Sequence, residues 1–166
     1  MYHDFIFPAV LSASHRAAWQ LEDVMPAGAQ LDFSRPLLPE TLARAHDVAG
    51  LGEAERLTLN HIRGHEYLSI FGLVEEFIVP FVLDHVRDSL DGDDQRIRAL
   101  LQFASEEAKH IHPFKRFHGA FVAGFGMSCE VIGPPEAIAA EVLRHHSLSV
   151  ALVILQIEWM TQRHYL

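Results

Sequence analysis

Two neighbouring side chains in the middle of the sequence, Glu107 and His110, have the types and spacing that suit a metal ion. They form a Glu-x-x-His sequence, and residues three apart on a helix point toward the same spot. Glu75 precedes this pair and Glu158 follows it. Carboxylates and imidazoles together bind iron, manganese and zinc. We therefore interpret Glu75, Glu107, His110 and Glu158 as candidate metal ligands.

The apolar periodicity predicts the helices that must position these side chains. Spacings near 3.6 residues run from Glu53 to about Asp88 and from Gln95 to about Phe125, which predicts two long helices. On the first helix Glu75 falls on the apolar line and Glu76 at its boundary, so Glu75 is the preferred inward carboxylate. On the second helix Glu107 and His110 lie in an apolar stripe with Leu100, Phe103, Phe114, Phe117, Phe121 and Phe125. A carboxylate or an imidazole that is buried among apolar side chains requires hydrogen bonds or a metal ion.

A third long helix is predicted from Pro135 to the end of the chain. Its middle part is apolar on nearly all sides, and Glu158 introduces a single charge there. An ion pair of Glu158 with Arg163 or Arg144 is the structural alternative to metal binding. His61 and His65, four residues apart, could hold zinc, but hydrogen-bonded core or half-exposed histidines are the preferred interpretation.

The proline- and glycine-rich residues 1–52 predict a lead-in with short helices at Ser14–Asp23 and Glu40–Ala49. The whole chain, 1–166, is therefore predicted to be one all-α domain whose bundle core is 53–166, with three long helices of about 30 residues each. The length of 166 residues suits a single domain with a real core.

Composition narrows the function classes. The net charge of −9, with no basic run, argues against nucleic-acid binding. The single Cys129 forms no internal disulfide, and neither a signal peptide nor a membrane span is recognisable, so we expect a cytoplasmic protein. The 12 histidines are unusually many, and histidine is the commonest metal ligand.

The pattern Glu75, Glu107-x-x-His110 and Glu158 resembles the first three helices of the ferritin-like di-iron carboxylate proteins. Residues 57–121, with Gln156-Ile157-Glu158-Trp159, also look like non-haem di-iron oxygenases of the aminobenzoate N-oxygenase type. The resemblance implies that the four residues hold two irons, with Glu107 and Glu158 as bridges. It further implies dioxygen activation, a small organic substrate such as an amine, and an external electron donor. Manganese suits the same ligands.

The sequence departs from the family pattern because it has no second Glu-x-x-His. We expect a fourth helix, either from a C-terminal continuation of the chain or from a partner chain; otherwise the site holds one metal or none. Each case leaves an apolar face uncovered, which predicts a homo-oligomer such as a dimer. Two alternatives to an oxygenase stay open: a non-catalytic iron-binding or storage bundle, and a helical interaction protein with an incomplete metal site.

Overall fold

The computed structural model describes residues 6–87, 90–92 and 94–162. These residues form α-helices and one 3₁₀ helix, Ala45–Asp47, and contain no strand, which confirms the all-α prediction. None of the described helices combines the length and the apolar character that crossing a membrane requires. The helices are α1 Phe7–Arg16, α2 Leu21–Val24, α3 Glu40–Ala43, α4 Glu53–Arg87, α5 Asp94–Phe125, α6 Pro135–Leu143 and α7 Ser147–Gln162.

The two long helices begin and end within about one residue of their predicted bounds. Helix α4 has 35 residues and α5 has 32, and both continue through an internal proline, Pro80 and Pro113. Each proline lacks the N–H that would bond the carbonyl four residues earlier. The apolar repeat is long enough in both helices to outweigh that loss, because tertiary packing supplies most of a helix's stability.

The prediction of a third long helix was wrong, because residues 144–146 separate α6 from α7. The break is made by His146, whose carbonyl oxygen accepts the N–H of Ser149 at 2.8 Å and that of Val150 at 3.2 Å. Its ring Nδ1 also accepts the N–H of Leu148 at 3.2 Å. His146 therefore caps a new helix, and apolar periodicity cannot detect such a local bond.

The short helices of the lead-in also differ from the prediction. The first is Phe7–Arg16 rather than Ser14–Asp23, and a new helix starts after Gln20, whose N–H bonds the Asp23 carboxylate at 2.8 Å. The predicted helix Glu40–Ala49 ends at Ala43, because Arg44 adopts a left-handed conformation with φ of 49°. A residue in that conformation ends a helix.

The chain divides into two compact units, and the single domain predicted for 1–166 stays a prediction. The first unit consists of Met1–Trp19, Leu73–Lys109 and Gly133–Leu166. Its described core joins residues from α4, α5, α6 and α7: Val74, Phe77, Ile78, Val82, Ala104, Ala139, Val150 and Ile154.

The second unit consists of Gln20–Gly72 and His110–Ile132. Its core is aromatic, with Phe121 fully buried and stacked on His65 and Phe125 at ring-centroid distances of 4.2 and 4.6 Å. Phe33 packs its ring edge against Phe121 at 5.7 Å. The lead-in is fixed to α4 by buried Asn60, which accepts two backbone N–H groups and donates to one carbonyl within residues 37–38.

Candidate metal centre

Glu75 is the inward carboxylate of the Glu75-Glu76 pair. Its side chain lies on α4 between the buried core residues Val74 and Phe77, and it is only 5% exposed, whereas Glu76 is exposed. The difference arises from the helical repeat, since one residue corresponds to a rotation of 100°. Within the described part of α4, the core therefore receives one carboxylate from this pair.

Glu107 is the inward carboxylate of the next pair, on α5. It is 5% exposed and follows buried Ala104 by one turn, while His110 lies half-buried one turn further on. The neighbouring Glu106 is held elsewhere: its carboxylate bonds Lys109 Nζ at 2.8 Å and accepts from Gln102 Nε2 at 2.9 Å. The two adjacent acids thus have different roles, because Glu106 completes a half-buried ion pair and Glu107 enters the core.

The three side chains Glu75, Glu107 and His110 converge. One ligand atom from each lies within 4.8 Å of the others, and no second such group of His, Cys, Asp or Glu occurs among the described residues. Two atoms on opposite sides of a metal ion lie about 4.2 Å apart, twice a metal–ligand distance of about 2.1 Å. A shift of about half an ångström would bring all three atoms to one ion, so the residues fit a metal.

Each of these three side chains already makes at least one polar, ring or electrostatic interaction, and so does Glu158. Glu158 is half-buried on α7 and is not a member of the converging group. Its predicted role as a ligand stays a prediction. Of the two arginines considered as alternative partners of Glu158, Arg163 lies outside the described residues, and Arg144 forms an ion pair with Glu141 at 2.7 Å.

The stripe predicted around Glu107 and His110 is present for most of its members. Phe121 is buried and Phe114, Phe117 and Phe125 are half-buried, but Phe103 is 38% exposed. The prediction for Phe103 was therefore wrong, although the helical repeat places this residue between buried Ala99 and buried Glu107. Helical periodicity decides on which side of α5 a residue lies, but not whether a neighbouring element covers the side chain at that point.

His61 and His65 are buried at 4% and 1% exposure, and both use a ring nitrogen within the second unit. His61 Nε2 bonds the Arg35 carbonyl at 2.9 Å, and His65 Nε2 bonds His118 Nδ1 at 2.9 Å. Burial, followed by the proximity of His118, lowers the pKa of His65 below its usual 6.5. These are hydrogen-bonded core histidines, which agrees with the preferred interpretation from the sequence.

Three contacts outside the metal group were not predicted from the sequence. Lys109 Nζ lies 4.6 Å from the centroid of the Trp19 ring, and Gln102 bonds Ser14 Oγ at 3.0 Å, so the segment around α1 packs on α5. The His65–His118 bond joins two helices across 53 residues of sequence. No local pattern in the sequence indicates any of these contacts, because all three depend on which segments of the chain become neighbours.

No protein-family model matches this chain, and neither a curated protein nor a solved structure shows significant similarity to it. The interpretation of the site therefore depends on its own geometry and chemistry.

Proposed function

We propose that this protein binds iron through Glu75, Glu107 and His110, and that the centre serves an oxidoreductase reaction with dioxygen. The observation that carries the proposal is the convergence of two buried carboxylates and one imidazole within 4.8 Å. Two carboxylates at one spot in a core repel each other, and a divalent cation would neutralise them. Oxygen-rich sites with one imidazole suit iron and manganese, and three protein ligands leave positions open for substrate or dioxygen.

Glu158 would contribute to a second iron. Ile154, one turn earlier on α7, packs in the same core as Val74 and Ala104, which lie beside Glu75 and one turn before Glu107. Glu158 follows Ile154 by four residues and therefore projects from a similar side of α7. A second metal near this carboxylate would match the di-iron ligand set that the sequence resembles.

The chain's own residues would hold the metal and exclude water. Phe77, Ile78 and Val82 are at most 4% exposed and place an apolar wall on the α4 side of the core. When bound, two irons would supply dioxygen activation, with electrons from an external donor. The substrate would be a small organic molecule, with an amine as the first class to test. An apolar surround protects reactive states from side reactions with water.

Metal binding is tested by anaerobic titration with Fe(II), desalting and iron analysis. We expect about one or two irons per chain, depending on whether Glu158 completes a second site. The double variant Glu107→Ala/His110→Ala should retain none. Its matched control is Glu106→Ala/His112→Ala, which removes the same residue types from the same helix and should bind as wild type. Equal iron in both double variants would overturn the site.

The second iron and the reaction need separate measurements. If Glu158 binds the second iron, Glu158→Ala should lower the iron content from two to one per chain, whereas Glu141→Ala, at an exposed glutamate, should not. Dioxygen uptake by iron-loaded protein, with ascorbate as donor and aniline as probe substrate, should be lost in the Glu107→Ala/His110→Ala variant. Iron binding without dioxygen uptake would favour iron storage instead.

A further inference from the structure

The outer side of α7 carries an apolar stripe. Leu148, Leu152, Leu155 and Trp159 are 62%, 56%, 60% and 71% exposed. They recur at intervals of four, three and four residues and so lie on one line along the helix. The buried residues Val150 and Ile154 lie on the other side of the helix. We call these four exposed residues the α7 stripe.

The size of the α7 stripe suits a small interface between two copies. The stripe is about 16 Å long, at 1.5 Å per residue. Val153 and Met160, 46% and 52% exposed, lie more than 100° further around the helix, beyond Ser149 and Gln156, and do not belong to the stripe. The four stripe side chains together expose on the order of 500 Å², which is within the range of the largest apolar patches on monomers. Pairing two copies would bury on the order of 1,000 Å², the size of a weak interface that dissociates on dilution.

We propose that the α7 stripe is the contact surface of a two-fold symmetric homodimer in which α7 packs antiparallel on its copy. The spacing of four, three and four is the same in both chain directions. In an antiparallel pair, Leu148 of one copy therefore lies opposite Trp159 of the other, and Leu152 lies opposite Leu155, so that all four stripe positions are paired. A large side chain meets a smaller one at each end, which suits close packing. This inference does not rest on the proposed metal function.

The absence of charge on the α7 stripe argues against a charged partner and permits self-pairing. Helix α7 contains one charged residue, Glu158, and it does not belong to the stripe. A face without charges meets its own copy with no like-charge repulsion, and it offers a charged partner no complementary group. The 4-3-4 repeat is also the spacing with which helices pair in coiled coils.

The test is the molar mass of the full chain in solution, measured by sedimentation from about 1 to 100 µM, the range in which a modest interface dissociates. We expect a dimer that dissociates on dilution. Leu152→Glu/Leu155→Glu should be a monomer throughout the range. The control Ser149→Glu/Gln156→Glu adds the same two charges to exposed positions of α7 off the stripe, and it should stay dimeric. Helicity by circular dichroism should be the same in all three proteins.

A second readout locates the interface. In a Trp19→Phe background the fluorescence reports Trp159 alone, and its emission should shift to longer wavelength on dilution as the ring becomes exposed. A wild-type monomer at about 100 µM would overturn the proposal. So would a dimer that both Glu variants leave intact, or one that both dissociate, because the stripe would then not be the contact surface.

Discussion

Replacing Glu107 by glutamine should change stability in opposite directions in the absence and presence of metal. Glu75 and Glu107 are each 5% exposed, and a carboxylate oxygen of one lies within 4.8 Å of the other. Two negative charges at that distance repel by about 3.5 kcal/mol at an effective dielectric constant of about 20. Glutamine keeps the shape without the charge. Since existing interactions offset part of the repulsion, we expect the metal-free variant to gain about 1–3 kcal/mol.

Metal should reverse this order. Iron at about 100 times its dissociation constant adds about 2.7 kcal/mol to wild type, which is roughly 5–11 °C in Tm for a chain of this size. The Glu107→Gln variant should gain almost nothing, because a neutral amide is a weaker ligand than a carboxylate. Thermal melts with and without Fe(II), under anaerobic conditions, measure both effects. Glu106→Gln is the control, and it should keep the full gain from metal.

Two results would refute this reasoning. If Glu107→Gln destabilises the metal-free protein by more than Glu106→Gln does, the buried carboxylate contributes hydrogen bonds that outweigh any repulsion. If Fe(II) raises the Tm of both variants equally, Glu107 is not a ligand. The first outcome would favour a hydrogen-bonded role for buried Glu107, and the second would place the bound metal elsewhere in the chain.

Three further predictions concern the second unit. Asn60→Ala removes three hydrogen bonds to the lead-in and should lower the free energy of unfolding in urea by about 2–4 kcal/mol; a loss below about 1 kcal/mol would contradict the role of these bonds. Gly124→Ala would place a Cβ 2.5 Å from Phe33 Cε2 and should destabilise the protein by about 1–3 kcal/mol. In the control Gly119→Ala, the new Cβ meets nothing within 4 Å and should stabilise the protein by about 0.5–1 kcal/mol. Equal effects of the two substitutions would contradict the packing of Phe33 against Gly124. Because the pKa of His65 is lowered in the folded protein, the stability contributed by its neutral ring is present above pH 6.5 and is lost as the pH falls below that value. Metal-free His65→Gln should therefore lose less stability than wild type between about pH 6.5 and 5. An unchanged pH profile would show that His65 is not the source of the pH dependence.

The sequence was sufficient to predict the two long helices and the carboxylates that face the core. Glu75 could be preferred over Glu76, and Glu107 could be placed on the inward stripe, because a long amphipathic helix defines its inner side by repetition over many turns. The neighbours behave as the helical repeat requires: Glu76 is exposed, and Glu106 binds Lys109.

What the sequence could not predict depends on single local bonds or on long-range contacts. The break before α7 comes from His146, and an apolar average over the region hides it. The left-handed Arg44 ends α3 without any glycine to mark the position. The His65–His118 bond requires knowledge of which helices are neighbours. The ferritin-like bundle stays a prediction, since the resemblance concerns the ligand residues and does not define how the helices are arranged.

The bonds of Asn60 have a consequence for the order in which parts of the second unit open. Residues 37 and 38 lie outside any helix, yet their amide protons are held by a buried side chain of α4 at 2.9 and 3.1 Å. Their exchange with solvent deuterium requires Asn60 to leave its position. These two loop amides should therefore exchange as slowly as the amides of the α4 turn that carries Asn60, so that an irregular segment and a helix form one cooperative unit.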